Sequence, residues 1–298
     1  RYEYFYWDYV FGIVLCALFF AFTLGSHGEN GRSFLTDLRQ ADFSSIGSAL
    51  LGGIIFNASN ILLSAAIAVC GMSVAFPVGV GLALVLGVII NYIGEAKGNP
   101  IFIFIGVFLI TIAIILNGIA YKKASVDNKK VSVKGLTLAI SAGFIMAFFY
   151  RFVAASIDLT SFEHPAAGKM TPYTAVFIFS LGILTSNFLF NTIAMKHPVE
   201  GKAIPISGYF KGRAITHLVG LLGGIIWCVG QSFSMIASEK AGAAISYGLG
   251  QGATLVSALW GILIWKEFKG ATPICRILNM CMFILFLIGL YCLIYAGA

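Results

Sequence analysis

Charge is what this chain has least of. Asp, Glu, Lys and Arg make up 10% of its 298 residues, and the mean hydropathy is +0.94. A soluble domain carries about a quarter charged residues to solvate its surface, so a water-soluble globule is excluded. Histidine is scarce, with four in the chain. The six cysteines (16, 70, 228, 275, 281 and 292) show neither CxxC spacing nor His companions. They read as small core residues, and no metal site or disulfide framework is expected. A phosphate-binding loop is missing too, because Gly168-Lys169 and Gly201-Lys202 lack the upstream glycine and the following Ser/Thr. With no Ser/His/Asp arrangement either, the expectation is a protein that is not an enzyme and holds no cofactor. The formal charge of +7 does not mark a nucleic-acid binder, because the lysines border apolar runs instead of forming one basic face.

What the chain does have is long runs free of Asp, Glu, Lys and Arg: 9–25, 43–94, 101–121, 170–195, 214–238, 241–265 and 277–298. Roughly 20 apolar residues cross a bilayer as a helix. The 43–94 run holds two spans, broken at Gly71, and 135–157 adds another that contains a single charge, Arg151. Nine transmembrane helices are therefore predicted. The segment Arg1–Asp8, aromatic and of mixed charge, reads as lying at a membrane interface and not as a signal peptide.

The chain also repeats itself. Leu50-Leu51-Gly52-Gly53-Ile54-Ile55-Phe56 recurs as Leu221-Leu222-Gly223-Gly224-Ile225-Ile226-Trp227, an offset of 171, and Glu95-Ala96-Lys97-Gly98 recurs as Glu267-Phe268-Lys269-Gly270, an offset of 172. Spans 173–195, 215–238, 241–265 and 276–296 then correspond to 9–25, 45–70, 72–93 and 101–121, whereas 135–157 has no partner. The organisation expected is a first repeat over 1–121 with four of five helices, a cytoplasmic linker over 122–134, and a five-helix second repeat over 135–298. On this reading the opening helix of the first repeat is absent.

Odd-numbered repeats insert in opposite orientations, so the topology should be inverted. The basic residues agree. Arg1, Lys122, Lys123, Lys129, Lys130, Lys134, Lys196, Lys202, Lys211, Arg213, Lys266, Lys269 and Arg276 fall on one side. Only Arg32, Arg39, Lys97, Lys169 and Lys240 fall on the other, and the richer side is assigned to the cytoplasm.

Polar groups inside spans are the candidates for function, since hydrocarbon penalises them unless they are paired or face water. Asn57 and Asn60 share a helix face, and Gln231 is the repeat mate of Asn60 at the 171 offset. Phe56 and its mate Trp227 supply aromatic surface beside them. These carboxamides offer donors and acceptors to a neutral solute, although packing between helices explains the same residues. Gly248-Leu249-Gly250-Gln251-Gly252 and the equivalent Pro77-Val78-Gly79-Val80-Gly81 should interrupt their helices at matching places, which makes Gln251 and Tyr247 further candidates. Arg151 is the buried charge. Asp158, about 10.5 Å further along the axis at 1.5 Å per residue, can hardly pair with it directly. Asp158 and Glu239 are the candidate coupling acids. Asn187 and Asn191, four apart, read first as interhelical bonds. The segment 26–44 should form a short amphipathic helix or lid.

Together these features resemble the ureide permease family of the drug/metabolite transporter superfamily. The resemblance is carried by Thr23-Leu24-Gly25 with Gly28-Glu29, Phe34–Gln40, Gly52-Gly53 with Asn60, Asn91-Tyr92, Tyr173-Thr174-Ala175, and Gln251 with Ser257–Gly261 and Glu267. It implies an all-α fold of ten helices in two inverted five-helix repeats. It also implies a secondary permease for small neutral metabolites, such as allantoin and other ureides or nucleobases, working by alternating access and as a proton symporter. A sugar carrier of the same superfamily (glucose, ribose or rhamnose type) is the alternative, and a membrane scaffold or enzyme the more distant one. The short 122–134 linker points to a bacterial member in the inner (plasma) membrane. The expected partners are the small-molecule substrate and membrane lipid, with no nucleic acid, and a homodimer stays open.

Overall fold

The computed structural model describes residues 1–26, 32–124, 132–266 and 268–297. Gly28, Glu29, Lys129, Lys130 and Glu267, each used above, lie outside the described residues. Among those described, nine helices are long and apolar enough to cross a membrane. They are α1 (Tyr2–Phe22), α3 (Phe43–Cys70), the composite Met72–Gly94, α6 (Pro100–Ala124), α7 (Val133–Ser156), α8 (Pro172–Lys196), α9 (Ala214–Ala241), the composite Ala243–Ile264, and α12 (Pro273–Ala296). A short helix, α2 (Phe34–Gln40), precedes α3, and Ile206–Lys211 forms a 3₁₀ turn before α9.

The outward faces explain why these helices need a bilayer. Phe108, Ile226 and Leu263 are each more than 60% exposed, and each of the nine long helices carries exposed apolar side chains. Water would leave so much apolar area unsatisfied, while lipid tails cover it without cost. The fold is all-helical, and the protein is an integral membrane protein.

Two compact units divide the residues. The first comprises Arg1–Ile61 and Phe148–Ala243, the second Leu62–Ala147 and Ala244–Ala298. Each therefore draws on both halves of the chain.

In the first unit α1 packs against α8 and α9. Glycine makes the crossings close. A Cβ on Gly53 would stand 2.1 Å from the Phe179 carbonyl oxygen and 3.0 Å from Gly182 Cα, and one on Gly224 would stand 2.0 Å from the Tyr9 oxygen. A Cβ on Gly182 would meet the Leu50 oxygen at 2.2 Å, and one on Gly12 the Leu221 oxygen, also at 2.2 Å. Helix backbones touch where no side chain intervenes, which is how helices gain packing contacts when lipid supplies no hydrophobic drive.

In the second unit, α6 and α12 pack closely, with Gly106 and Gly289 against each other's carbonyl oxygens. The composite helices depart from α geometry at the two stretches singled out above. Met72–Gly94 consists of α4 (Met72–Ala75), a π turn over Phe76–Val80, and α5 (Gly81–Gly94). Pro77 has no N–H to donate, and the widened turn takes up the loss, with Gly81 N bonding back to the Phe76 oxygen five residues earlier. Ala243–Ile264 consists of α10 (Ala243–Gly250), a break at Gln251-Gly252, α11 (Ala253–Leu259) and a π turn over Trp260–Ile264. At the break the bonds tighten to three residues, Gly252 N to Leu249 O at 2.9 Å and Leu255 N to Gly252 O at 3.0 Å.

Each composite helix is preceded by a glycine in a conformation closed to other residues. Gly71 has φ 85° and ψ 164°, and Gly242 has φ 82° and ψ 158°. This region is essentially glycine-only, and a side chain there costs about 1–3 kcal/mol. Gly242→Ala should therefore lower stability by about that amount in a detergent unfolding titration. A change within about 0.5 kcal/mol, the range of an ordinary surface substitution, would count against the turn.

Candidate functional site

The first unit contains a polar cluster beside an aromatic one. The Tyr6 hydroxyl of α1 donates to Asn57 Oδ1 at 3.0 Å and accepts from Asn60 Nδ2 at 3.2 Å. Asn57, fully buried, donates from Nδ2 to the Ser186 hydroxyl of α8 at 2.8 Å. One turn before Asn60 on α3, Phe56 meets Trp227 of α9, with centroids 4.5 Å apart and 32° between the planes. Phe149 and Phe179 close on Phe56 at 5.2 and 5.6 Å, and Tyr9 lies 6.4 Å from Trp227. Gln231 stands one turn beyond Trp227. Its Nε2 is buried and has no hydrogen-bond partner among the described residues.

The fold thus brings Asn57, Asn60, Phe56 and Trp227 together, and Gln231 follows one turn later on the Trp227 helix. Tyr6, Tyr9 and Ser186 belong to the same cluster and were not singled out from the sequence. Glu3 and Asp8 broke the apolar run, so Arg1–Asp8 read as interfacial. In the structure α1 starts at Tyr2, and Glu3, Tyr6, Trp7 and Asp8 are all buried.

The remaining candidates lie elsewhere. Gln251, half-buried, sits at the helix break of the second unit. Tyr247 is 1% exposed there. Its ring fills the space a side chain at Gly87 would need, and its hydroxyl donates to the Ala83 oxygen at 3.1 Å. Arg151 is half-buried on α7 and makes no ion pair among the described residues. Asn191 donates to the Glu3 carbonyl at 2.9 Å, whereas both amide atoms of the fully buried Asn187 are without partners among the described residues.

The two acids expected to couple transport brace a loop. Glu239 accepts from Phe162 N at 2.9 Å. Asp158 accepts from the Thr160 hydroxyl at 2.6 Å, from Thr160 N at 2.9 Å and from Ala166 N at 2.9 Å. Burial opposes ionisation of Asp158, but these bonds outweigh it, and its carboxyl titrates below the ordinary 3.8. A lowered carboxyl pKa stabilises the folded loop above about pH 3.8, and that stabilisation fades as pH falls through the lower folded value. Asp158 is thus ionised throughout pH 5–8. Asp158→Asn should loosen the loop yet leave the pH profile of uptake unmoved over that range; a displaced profile would restore Asp158 as a coupling group.

The segment expected to act as a lid is pinned. Asp37 of α2, fully buried, pairs with Arg32 at 3.0 Å and accepts from Thr171 N, at the start of α8, at 2.8 Å. Gln40 adds bonds to Lys169 O and Gly168 N, both at 2.8 Å. A carboxylate at the first turn of α8 also suits the positive end of that helix. All six cysteines are free.

Buried carboxamides and aromatic faces thus lie together on helices long and apolar enough to cross a membrane. The ureide permease profile matches residues 5–134 and 122–296. The chain belongs to the ureide permease family, a family of membrane transporters. It is similar to ureide permease 1 of Arabidopsis thaliana, with 24% identity over 95% of this chain and 86% of the relative. It is also similar to ureide permease 3 of the same plant, with 25% identity over 80% of this chain and 76% of the relative. A third relative is a probable ureide permease A3 of Vigna unguiculata, with 23% identity over 89% of this chain and 87% of the relative.

Proposed function

We propose that the chain is a secondary permease for a small neutral ureide or nucleobase, bound at the Tyr6–Asn57–Asn60 cluster against Phe56 and Trp227. The buried Nε2 of Gln231, without a partner among the described residues, carries this reading. A buried donor left without an acceptor costs about 1–3 kcal/mol, and the carbonyl of an amide-rich solute would meet that need. Stacked rings favour a planar solute over a sugar, whose hydroxyls call for more edge-on polar partners.

Alternating access follows from two inverted repeats, and local symmetry supports them. Gly71 and Gly242 are 171 residues apart, Gly98 and Gly270 are 172 apart, and all four have φ between 82° and 94°. The glycine crossings obey the same rule, since Leu50 and Leu221 play one role and Gly12 and Gly182, 170 apart, the other. Phe56 and Trp227 are mates that touch each other, which would place them on the pseudo-twofold axis. Of the two candidate acids, Glu239 is the better suited to proton coupling, because Asp158 titrates too low. The short 122–134 linker favours a bacterial inner membrane.

The test is uptake by proteoliposomes of allantoin, uracil and glucose, each with and without a proton gradient. Saturable allantoin or uracil uptake is expected, falling about tenfold in Gln231→Ala, the equivalent of one lost 1.4 kcal/mol interaction. Uptake of glucose alone would favour the sugar reading. Uptake indifferent to Gln231→Ala would displace the site.

A further inference from the structure

The basic end of the first unit contains a cavity that the solute site does not use. About 520 Å³ in volume, it opens between α1, α8 and the segment that leads through the 3₁₀ turn. That falls within the range of roughly 300–1,000 Å³ that holds small ligands. Its walls are almost wholly apolar, with Trp7 and Phe11 from α1, Phe188 and Met195 from α8, and Ile206 and Phe210 from the turn. Phe188 and Phe210 are 59% and 77% exposed, so the cavity opens on the surface.

One charged side chain lines it. Lys196, the last residue of α8, has no ion pair or hydrogen bond among the described residues. Lys202, Lys211 and Arg213 lie on the same connecting segment, against one acid, Glu200. The buried carboxylates nearby on α1 are already matched, Glu3 by Arg1 at 2.5 Å. Asp8 accepts from the Tyr209 hydroxyl at 2.5 Å and meets His217 Nδ1 at 2.8 Å, in a neighbouring cavity of about 540 Å³. Burial and then Asp8 push the Tyr209 phenol above its ordinary range, so it stays a donor. Lys196 is left without a carboxylate partner among the described residues.

An apolar cleft with an unpaired cation at its rim, on a protein that lives in lipid, fits an amphiphile with an acidic head. We propose that this cleft is a binding site for an anionic phospholipid. One acyl chain lies along Trp7, Phe11 and Phe188, and the phosphate sits at Lys196. Basic pockets between transmembrane helices hold acidic headgroups by the same balance of charge and burial. The site is separate from the solute cluster and does not depend on which solute is carried.

Native mass spectrometry of the full chain in detergent tests it, with phosphatidylglycerol and phosphatidylcholine titrated separately. The wild type should retain one phosphatidylglycerol with about a fivefold preference, as expected for one lysine at a membrane surface. Lys196→Gln should abolish the preference, and Thr192→Trp, which fills the cavity, should abolish retention of the lipid. Lys202→Gln, a cation on the segment that does not line the cavity, should change neither. Equal retention of the two lipids by the wild type would overturn the proposal, as would a preference that survives Lys196→Gln. Displacement of phosphatidylglycerol by millimolar inorganic phosphate would reduce the site to an anion site and overturn its lipid form.

Discussion

Gly53→Ala is expected to destabilise the first unit by about 1–3 kcal/mol or more, the range for forcing an extra carbon into a filled site. The added Cβ would stand 2.1 Å from the Phe179 carbonyl oxygen, 2.9 Å from Ile183 N and 3.0 Å from Gly182 Cα. All three are backbone atoms, so no rotamer change can relieve the contact, and α3 and α8 must move apart. Gly224→Ala meets the same difficulty at the mirrored crossing, 2.0 Å from the Tyr9 oxygen and 2.8 Å from Ile13 N. Separating backbones in lipid forfeits dispersion contacts that no hydrophobic effect replaces. Gly230→Ala is the control, because nothing lies within 4 Å of its added carbon, and alanine there should be neutral or slightly stabilising. The measurement is the midpoint of unfolding in a mixed-micelle titration. If Gly53→Ala and Gly230→Ala unfold together, close glycine packing is not what holds these helices.

Much of this packing was legible in the sequence, because the repeat and the glycines lie in one motif, Leu50-Leu51-Gly52-Gly53 and its mate. Run length also located the nine spans seen among the described residues, since hydrocarbon imposes a length that few other constraints blur. The start of α1 was the exception. Glu3 and Asp8 are charged, and charge in a run reads as its end. Yet Glu3 is paired with its near neighbour Arg1, and Asp8 with Tyr209 and His217, 201 and 209 residues further on. Partners distant in sequence are invisible to a count of runs. Repeat arithmetic held the answer, because shifting Pro172–Lys196 back by 171 gives 1–25, close to the observed Tyr2–Phe22. Half of the candidate site was legible for the same reason: Asn60 and Gln231 are mates, as are Phe56 and Trp227. Tyr6 was not, since its role comes from two asparagines more than 50 residues away. Conversely, Tyr247 drew attention through its glycine-rich neighbourhood, and in the structure its ring fills the gap left by Gly87.

Tyr6→Phe should then be the substitution that separates a solute site from mere packing. Its hydroxyl joins Asn57 and Asn60, giving a proton to the first and taking one from the second. Phenylalanine keeps the ring and its contact with Tyr9, 5.5 Å between centroids. It leaves a buried amide oxygen without that donor, at a cost of about 1–3 kcal/mol. If the cluster binds solute, affinity should fall by at least about tenfold, and the Tyr6→Phe/Asn60→Ala double-mutant cycle should show coupling of about 0.5–3 kcal/mol in binding. Tyr150→Phe calibrates the structural part, because the Tyr150 hydroxyl donates to the Ser234 oxygen at 3.1 Å within the same unit. Both variants should lose stability, but only Tyr6→Phe should lose affinity beyond that loss, read by isothermal titration of the solute under conditions where both are folded. Equal affinity for the two variants would mean that the hydroxyl ties α1 to α3 and does nothing more. Asn57 and Asn60 would then be joints between helices, and the search for the solute site would move to Gln251 and the broken helix of the second unit.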